Sequence, residues 1–184
     1  MFVSSTVAQE VVLGIDPGLT RCGYAVLRSL SGATGEAEVL AMGVFRTEPK
    51  ESLANRLAQI HLDVEQILEE FTPQSVAIEQ VFFQSNARTA MSVAQVSGVV
   101  LALAVRAHCN VVQYTPSQVK SAVAGWGKAD KAQIQKMVAL RLHLKTLPQP
   151  ADAADAAALA LCHIATSSAL VGSNSRVSRQ VGVQ

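Results

Sequence analysis

The sequence predicts an α/β domain built on one mixed sheet. Two short, almost continuously apolar runs, VVLGID (11–16) and SVAIEQ (75–80), have the pattern of central strands buried on both faces. Because a helical segment separates them, the second strand is expected to lie parallel to the first. CGYAVLRSL (22–30) and AEVLAMGVFRT (37–47) follow the first strand through short links, which favours an antiparallel meander. With a last strand over 110–114, the sheet has five strands, three antiparallel plus two parallel.

Helices are predicted to flank this sheet. The segment 51–71 places its apolar side chains on one helical face and ends before Pro73. Residues 87–108 form a second, longer helix, in which apolar residues occupy nearly the whole circumference between Val93 and Val105. One side of it can pack on the sheet, so the other side needs a second cover, most simply another subunit.

The last third of the sequence predicts three more helices. Pro116 opens a short one that ends at Ala124, another spans 130–144, and an Ala-rich helix spans 152–166. The residues after it are Ser-rich and polar, so they are expected to be disordered. The expected division of the chain is a loose extension over 1–9, a domain over 10–166 and a disordered tail over 167–184.

The composition is that of a globular protein. Of 184 residues, 49% are hydrophobic and 16% charged, which excludes a disordered chain. No apolar run approaches the roughly 20 residues that span a bilayer, and the N-terminus lacks the basic and apolar segments of a secretory signal. The three cysteines are widely spaced, which favours buried thiols in a reducing, cytoplasmic compartment. Since the net charge is only +1, a polyanion has to meet a local basic face.

Four carboxylates stand where chemistry is expected. Asp16 and Glu79 end the two parallel strands, at the sheet edge where α/β sites usually lie. PADAADAAALAL adds Asp152 and Asp155, which are neighbours on one face of a helix. Simpler interpretations exist, because Asp-Pro-Gly can be only a turn, and acids in a first helical turn can be a cap or respond to the helix dipole. The convergence of all four favours a site.

Such a convergence predicts a metal centre. Carboxylates in a small volume repel one another and raise one another's pKa unless a cation neutralises them. All-oxygen ligands suit magnesium or manganese better than zinc. Two such ions about 4 Å apart stabilise the attacking and leaving oxygens of phosphodiester cleavage.

Five strings, in this order and spacing, resemble the RuvC-type Holliday junction resolvases over residues 11–166: GIDPGLTRCGYAVL, AIEQVFFQSNA, PSQVK, ADKAQIQKMV and PADAADAAALAL. The resemblance implies a ribonuclease H-like fold and a homodimeric, magnesium-dependent endodeoxyribonuclease of DNA recombination and repair, with manganese as a possible substitute. It implies symmetrical nicking of two opposing strands of a four-way junction, leaving 5′-phosphate and 3′-hydroxyl ends. It also implies work beside the RuvAB branch-migration complex.

The resemblance also implies roles for individual residues. The metal-binding catalytic acids would be Asp16, Glu79, Asp152 and Asp155. Lys120 and Lys131 match lysines near the scissile phosphate, where a cation stabilises developing negative charge. Taken alone, such a lysine is more often only solvated. Lys128 is expected to face outward beside Lys131 and to contact DNA.

Aromatic residues suggest how a junction would be held. Phe82 matches the family aromatic near the junction centre, and Phe83 can share or take that role by stacking on an unpaired base. Core packing is the simpler interpretation of both. Arg88 could contact a phosphate. The chain departs from its relatives at Ser85 and Ser97, where a lysine and an arginine are common, so the phosphate contacts there are in doubt.

Three other interpretations remain at this point. Asp16, Gly18 and Thr20 also resemble the first phosphate loop of actin-like ATPases and sugar kinases, which need a second domain and a second Gly-rich motif. The RNase H-like YqgF group, linked to ribosomal RNA maturation, opens with a similar string. A junction-binding module without catalysis is the third, although buried carboxylates are costly to keep without a metal.

Overall fold

The computed structural model describes residues 9–30, 35–81 and 87–180. Their five strands are β1 (Val11–Asp16), β2 (Arg21–Ser29), β3 (Ala37–Arg46), β4 (Ser75–Glu79) and β5 (Asn110–Tyr114). They form one sheet in the order β3-β2-β1-β4-β5. The β1–β2 and β2–β3 pairs are antiparallel, and the β1–β4 and β4–β5 pairs are parallel. The predicted mixed sheet is therefore confirmed.

Helices cover both faces of the sheet. They are α1 (Leu53–Phe71), α2 (Ala87–Arg106), α3 (Pro116–Ala124), α4 (Lys131–Arg141) and α5 (Ala151–Gln180). Helix α5 packs on the sheet with α3 and α4 beside it, whereas α1 and α2 pack together on the opposite face. Among the described residues, no helix is long and apolar enough to cross a membrane.

Strand alternation divides the core into two layers. Leu13 and Ile15 of β1 are fully buried in the layer beneath α1 and α2, while Val12 is buried in the layer with α5. Gly14 shares the α5 side, and a Cβ there would lie 2.1 Å from the carbonyl oxygen of Ala156. Only glycine leaves room for this approach, so the backbone of α5 lies directly against the strand.

Capping residues fix where α3 and α4 begin. Thr115 and Gln118 form a capping box at α3, and Asp130 and Gln133 form one at α4. In each box the side chains satisfy backbone N–H groups that a helix start leaves without partners. The second box places Lys131 at the first position of α4.

Helix α2 leaves apolar side chains on its outer side. Val96 and Val100 are buried against the core, but Met91 and Val105 are 58% and 65% exposed. This surface agrees with the expectation that one side of the helix packs on the domain and the other needs a cover. The homodimer itself stays a prediction.

The predicted end of the last helix, at 166, is wrong. Helix α5 continues to Gln180. Serines weaken a helix when their hydroxyls compete for backbone groups, but Ser167 and Ser168 both donate to the Ile164 carbonyl one turn back, an arrangement that helices accept. The division into extension, domain and tail stays a prediction, and 1–8 and 181–184 lie outside the described residues.

Candidate active site

Two carboxylates meet at the carboxyl edge of the sheet. β1 and β4 run parallel with Ile15 opposite Ile78, so Asp16 and Glu79 follow side by side. Their side chains fall on the same face as Ala77, which is buried in the α5 layer. The strand ends therefore direct both acids towards helix α5.

Helix α5 brings the other two acids to the same edge. Gly23 of β2 lies opposite Asp16, and a Cβ at Gly23 would lie 2.1 Å from the carbonyl oxygen of Asp152. The first turn of α5 thus rests on the strand that neighbours Asp16. Asp155 follows one turn later and lines a cleft together with Glu79. The structure brings the four predicted acids into one region.

The pKa values of the strand acids are displaced upwards. Burial is the main cause that raises the pKa of Asp16 to about 7, followed by the negative charges of Asp155, Glu79 and Asp152. Burial, and then Asp155, raise the pKa of Glu79 as well. Lys131 partly opposes both shifts. Without a further cation, full ionisation of Asp16 is therefore unfavourable at neutral pH, and Glu79 loses its proton less readily than a free glutamate does.

Lys131 contacts the cluster directly. Its Nζ donates to Oδ2 of Asp155 over 2.7 Å, and this bond is the main cause that raises the pKa of the lysine. The side chain is nevertheless 64% exposed, so the ammonium group can also face an incoming phosphate. Lys120 of α3 lines the same cleft of about 260 Å³, together with Glu79, Lys131 and Asp155.

The remaining predicted contacts lie around this edge or beyond the described residues. Lys128 is exposed in the loop before α4. Arg88 lies in the first turn of α2, but its side chain falls outside the description, as do Phe82, Phe83 and Ser85. Ser97 is only 4% exposed, and its hydroxyl has no hydrogen-bond partner among the described residues. Position 97 therefore presents no phosphate contact on the surface of this single chain.

One basic residue of the site was missed by the sequence analysis. Arg21, the first residue of β2, donates through both Nε and Nη2 to Oδ2 of Asp152, over 2.8 and 2.5 Å. The sequence predicts a strand that begins at position 22, whereas β2 begins one residue earlier, at Arg21. The sequence carries one signal for its position: Arg21 lies two residues before Gly23, and residues two apart in a strand share the same face.

A second arginine, also missed, braces the turn that follows Asp16. Arg56 of α1 donates from Nη2 to the Thr20 hydroxyl over 2.6 Å and from Nε to the Thr47 hydroxyl over 2.8 Å. The Thr47 hydroxyl in turn donates to the Leu19 carbonyl over 2.5 Å. Helix α1 and the end of β3 are thereby tied to the turn that carries the first acid.

The donor set suits a hard divalent cation. Four carboxylates supply oxygen ligands only, which is what magnesium and manganese bind. As the side chains stand in the described parts of the chain, no three His, Cys, Asp or Glu residues are arranged to hold a metal ion. Instead, one carboxylate oxygen of Asp152 pairs with Arg21, and one of Asp155 pairs with Lys131. The chemistry of the donors fits such an ion, and a change of partners by these two side chains would present them to it.

The strand order and the acids along its carboxyl edge define a class of protein, the ribonuclease H-like α/β domains. A yeast mitochondrial Holliday junction resolvase shares this fold, with a TM-score of 0.64 over 88% of this chain and 80% of its own, at 16% identity. The family model of the crossover junction endodeoxyribonuclease RuvC matches residues 12–163. The chain belongs to the RuvC family.

Individual proteins of this family are similar to the chain in sequence and in structure. A crossover junction endodeoxyribonuclease RuvC of Streptomyces avermitilis is 49% identical over 153 residues, which cover 83% of this chain and 86% of the relative. The structure of Thermus thermophilus RuvC in complex with a Holliday junction substrate superposes with a TM-score of 0.81 at 40% identity, over 86% of this chain and 94% of that one. The predicted family and fold are confirmed, and these matches support the resolvase interpretation, not the ribosomal RNA alternative.

Proposed function

We propose that the protein is a magnesium-dependent endodeoxyribonuclease that resolves four-way DNA junctions in recombination and repair. It hydrolyses one phosphodiester bond in each of two opposing strands and leaves 5′-phosphate and 3′-hydroxyl ends. The observation that carries this proposal is the cluster of four acids with Lys131 at one sheet edge, in a chain of the RuvC family.

The four acids form the two sides of the proposed metal site. Asp16 and Glu79, fixed by the ends of β1 and β4, form the rigid side of the metal site, and Asp152 and Asp155 form the side contributed by α5. Bound magnesium ions, with manganese as a substitute, supply charge stabilisation to the attacking and leaving oxygens. Lys131 lies at the rim of the cluster and stabilises negative charge that develops on the phosphate.

Junction binding uses a local basic face, because the net charge of the chain is only +1. Lys120, Lys128 and Lys131 supply it on the side of α3 and α4. Contacts of this kind bind the phosphate backbone without reading sequence. By resemblance to the family, Phe82 and Phe83 stack on bases of the junction, and Arg88 contacts a phosphate.

Two symmetrical cuts require two active sites, and a homodimer supplies them. The exposed apolar side chains of α2, Met91 and Val105, support a contact between copies through this helix. We further propose a cytoplasmic protein that works beside the RuvAB complex. Its three cysteines are buried and unpaired, as a reducing compartment allows.

The test is cleavage of an end-labelled four-way junction beside a linear duplex of the same sequence, with and without magnesium. Paired symmetrical nicks on the junction alone, abolished by a chelator, are expected. Asp16→Asn is the matched control: it should bind the junction and leave it uncut. Tight binding without cleavage by the wild-type protein, in magnesium or manganese, would instead indicate a binding module. Equal cutting of junction and duplex, or preference for structured RNA, would contradict junction selectivity.

A further inference from the structure

Arg21 commits its guanidinium to a single oxygen of a candidate metal ligand. Nε and Nη2 both donate to Oδ2 of Asp152, and no described side chain hydrogen-bonds to Oδ1. The pair lies at the rim of the site, with 39% of the arginine side chain and 29% of the aspartate side chain exposed. A partly exposed ion pair adds little to stability, so it can open readily.

The neighbourhood of Arg21 is more basic than this pair alone suggests. Arg46 of β3 lies directly opposite Arg21 in the strand register. It is exposed and forms no salt bridge with any described residue. Like charges at directly opposite positions of an antiparallel pair repel each other, and here Asp152 offsets the repulsion.

A divalent cation bound by Asp152 would compete electrostatically with the guanidinium of Arg21, even if the cation took the other carboxylate oxygen. A metal ion held by this carboxylate places two positive charges within a few ångströms of a third, which weakens the arginine contact by ordinary Coulomb repulsion. An arginine released in this way would stand beside Arg46 at the catalytic edge. Two neighbouring guanidinium groups without a carboxylate are a favourable site for a phosphate.

We propose that Arg21 exchanges partners during the catalytic cycle, an inference that rests on the junction nuclease proposed above. In the metal-free protein it is the counter-ion of Asp152. In the metal-loaded complex it leaves Asp152 and binds a DNA phosphate beside Arg46. Arg21 is therefore a positioning residue in the first state and a phosphate ligand in the second.

The first test measures metal binding without DNA. Isothermal titration with Mn²⁺ compares the wild-type protein with Arg21→Gln. The variant is expected to bind Mn²⁺ about threefold to tenfold more tightly, because a competing cation has been removed. Unchanged or weaker Mn²⁺ binding would overturn the exchange, since a purely orienting arginine predicts a loss of affinity.

The chain offers a matched control on the same strand. Arg28 of β2 has the same side-chain exposure, 39%, and pairs with Glu38 over 3.0 Å, towards the other end of the strand. Arg28→Gln should leave the affinity for Mn²⁺ unchanged. Arg21→Lys keeps the charge and should stay within about twofold of the wild-type affinity, because the Coulomb repulsion remains. If the Gln variant folds poorly, the Lys variant still tests the proposal, since clearly tighter Mn²⁺ binding with the positive charge retained would contradict the competition.

The second test measures the salt dependence of junction binding. In Ca²⁺, over incubations short enough that the strands stay uncut, the plot of log affinity against log salt should be shallower by about one unit for Arg21→Gln than for the wild type. In a chelator the two slopes should agree, because Arg21 then stays on Asp152. Equal slopes in Ca²⁺ would remove the phosphate contact from the proposal.

The two tests separate this inference from the proposed function. Mn²⁺ titration needs neither DNA nor cleavage, so it decides the competition even for a protein that ignores junctions. Conversely, the wild-type protein could cut junctions while Arg21→Gln binds Mn²⁺ with unchanged affinity. That result would support the proposed nuclease function and contradict the exchange of partners by Arg21.

Discussion

The strand acids and the helix acids of the site differ in how their charge is compensated. Asp16 and Glu79 form no salt bridge with any described side chain, and burial raises the pKa of both. Asp152 and Asp155 each accept a hydrogen bond from a basic side chain. The negative charge of Asp16 and Glu79 therefore requires an external cation. Asp152 and Asp155 already have basic side chains as partners, and a metal ion could replace these partners.

This difference follows from where each element lies. β1 and β4 are central strands between two layers of helices, so a carboxyl at their ends is drawn out of water. The first turn of α5 lies at the rim, where the side chains of Asp152 and Asp155 are 29% and 27% exposed and long basic side chains can reach them. A rigid, dry half and an adaptable, wetter half thus meet at one edge.

The largest expected effect comes from Asp16→Asn in a chelator. The pKa of Asp16 is about 7 in the folded protein and 3.8 ordinarily. Between pH 3.8 and pH 7, therefore, Asp16 keeps its proton in the folded protein and loses it in the unfolded chain. The resulting stability is complete below about pH 4 and is lost as the pH rises through 7. Urea unfolding should show that Asp16→Asn abolishes this loss, a difference of up to about 4 kcal/mol between pH 4 and pH 8.

Asp155→Asn sharpens the same comparison. It removes a charge that repels Asp16 but also removes the partner of Lys131, so these opposing effects should change the free energy of unfolding by less than about 1 kcal/mol. An Asp155→Asn variant as strongly stabilised at pH 8 as Asp16→Asn would break the distinction between the two halves.

Lys131→Ala is expected to lower the single-turnover cleavage rate by about a hundredfold, the scale of one group that stabilises transition-state charge. Junction binding, measured by fluorescence anisotropy, should change little, because one phosphate contact is lost. Lys136→Ala removes an exposed lysine from the same helix and should cleave at the wild-type rate. Wild-type cleavage by Lys131→Ala would remove this lysine from the mechanism.

Gly23→Ala should displace the start of α5. The new Cβ would overlap the carbonyl oxygen of Asp152, a backbone atom that cannot move without the helix. Thermal or urea unfolding should show a loss of about 1–3 kcal/mol, with slower cleavage because Asp152 is misplaced. At Gly127 a Cβ would meet the hydroxyls of Ser121 and Ser117, which can rotate, so Gly127→Ala should be nearly neutral. Equal losses from the two variants would contradict the close contact.

Arg56→Ala is expected to destabilise the protein less than Gly23→Ala. It removes the two hydrogen bonds that brace the turn after Asp16, with an expected loss of about 1–2 kcal/mol in the free energy of unfolding. The rigid half of the site should loosen, so hydrogen exchange of the Thr20 and Thr47 amides should quicken while that of α5 stays unchanged. Exchange that quickens equally in α5 would indicate a global effect.

The positions of the acids could be predicted from the sequence because they follow from local rules. Apolar runs that end in Asp16 and Glu79, with a helix between them, leave little choice about which edge they share. The spacing of Asp152 and Asp155 likewise fixes their common helical face. The mixed sheet followed from the same patterns.

Pairings between distant segments could not be predicted in this way. Arg21 meets Asp152 across most of the chain, and Arg56 meets Thr20 through a packing angle that no periodicity encodes. The end of α5 was missed because composition alone cannot tell a serine that ends a helix from one, such as Ser168, that bonds back to its own turn. Orientation of side chains across elements is set by the fold as a whole.

The contact of α5 with the glycines of β1 and β2 also has a consequence for biosynthesis. A ribosome makes the strand that carries Asp16 near the beginning of the chain and delivers Asp152 and Asp155 only near its end. Until α5 has emerged and docked, the sheet face bearing Gly14 and Gly23 stays uncovered and half of the carboxylates are missing. A polypeptide whose translation stops before residue 151 therefore cannot assemble the site, and a DNA-cutting activity is withheld from fragments of its own chain.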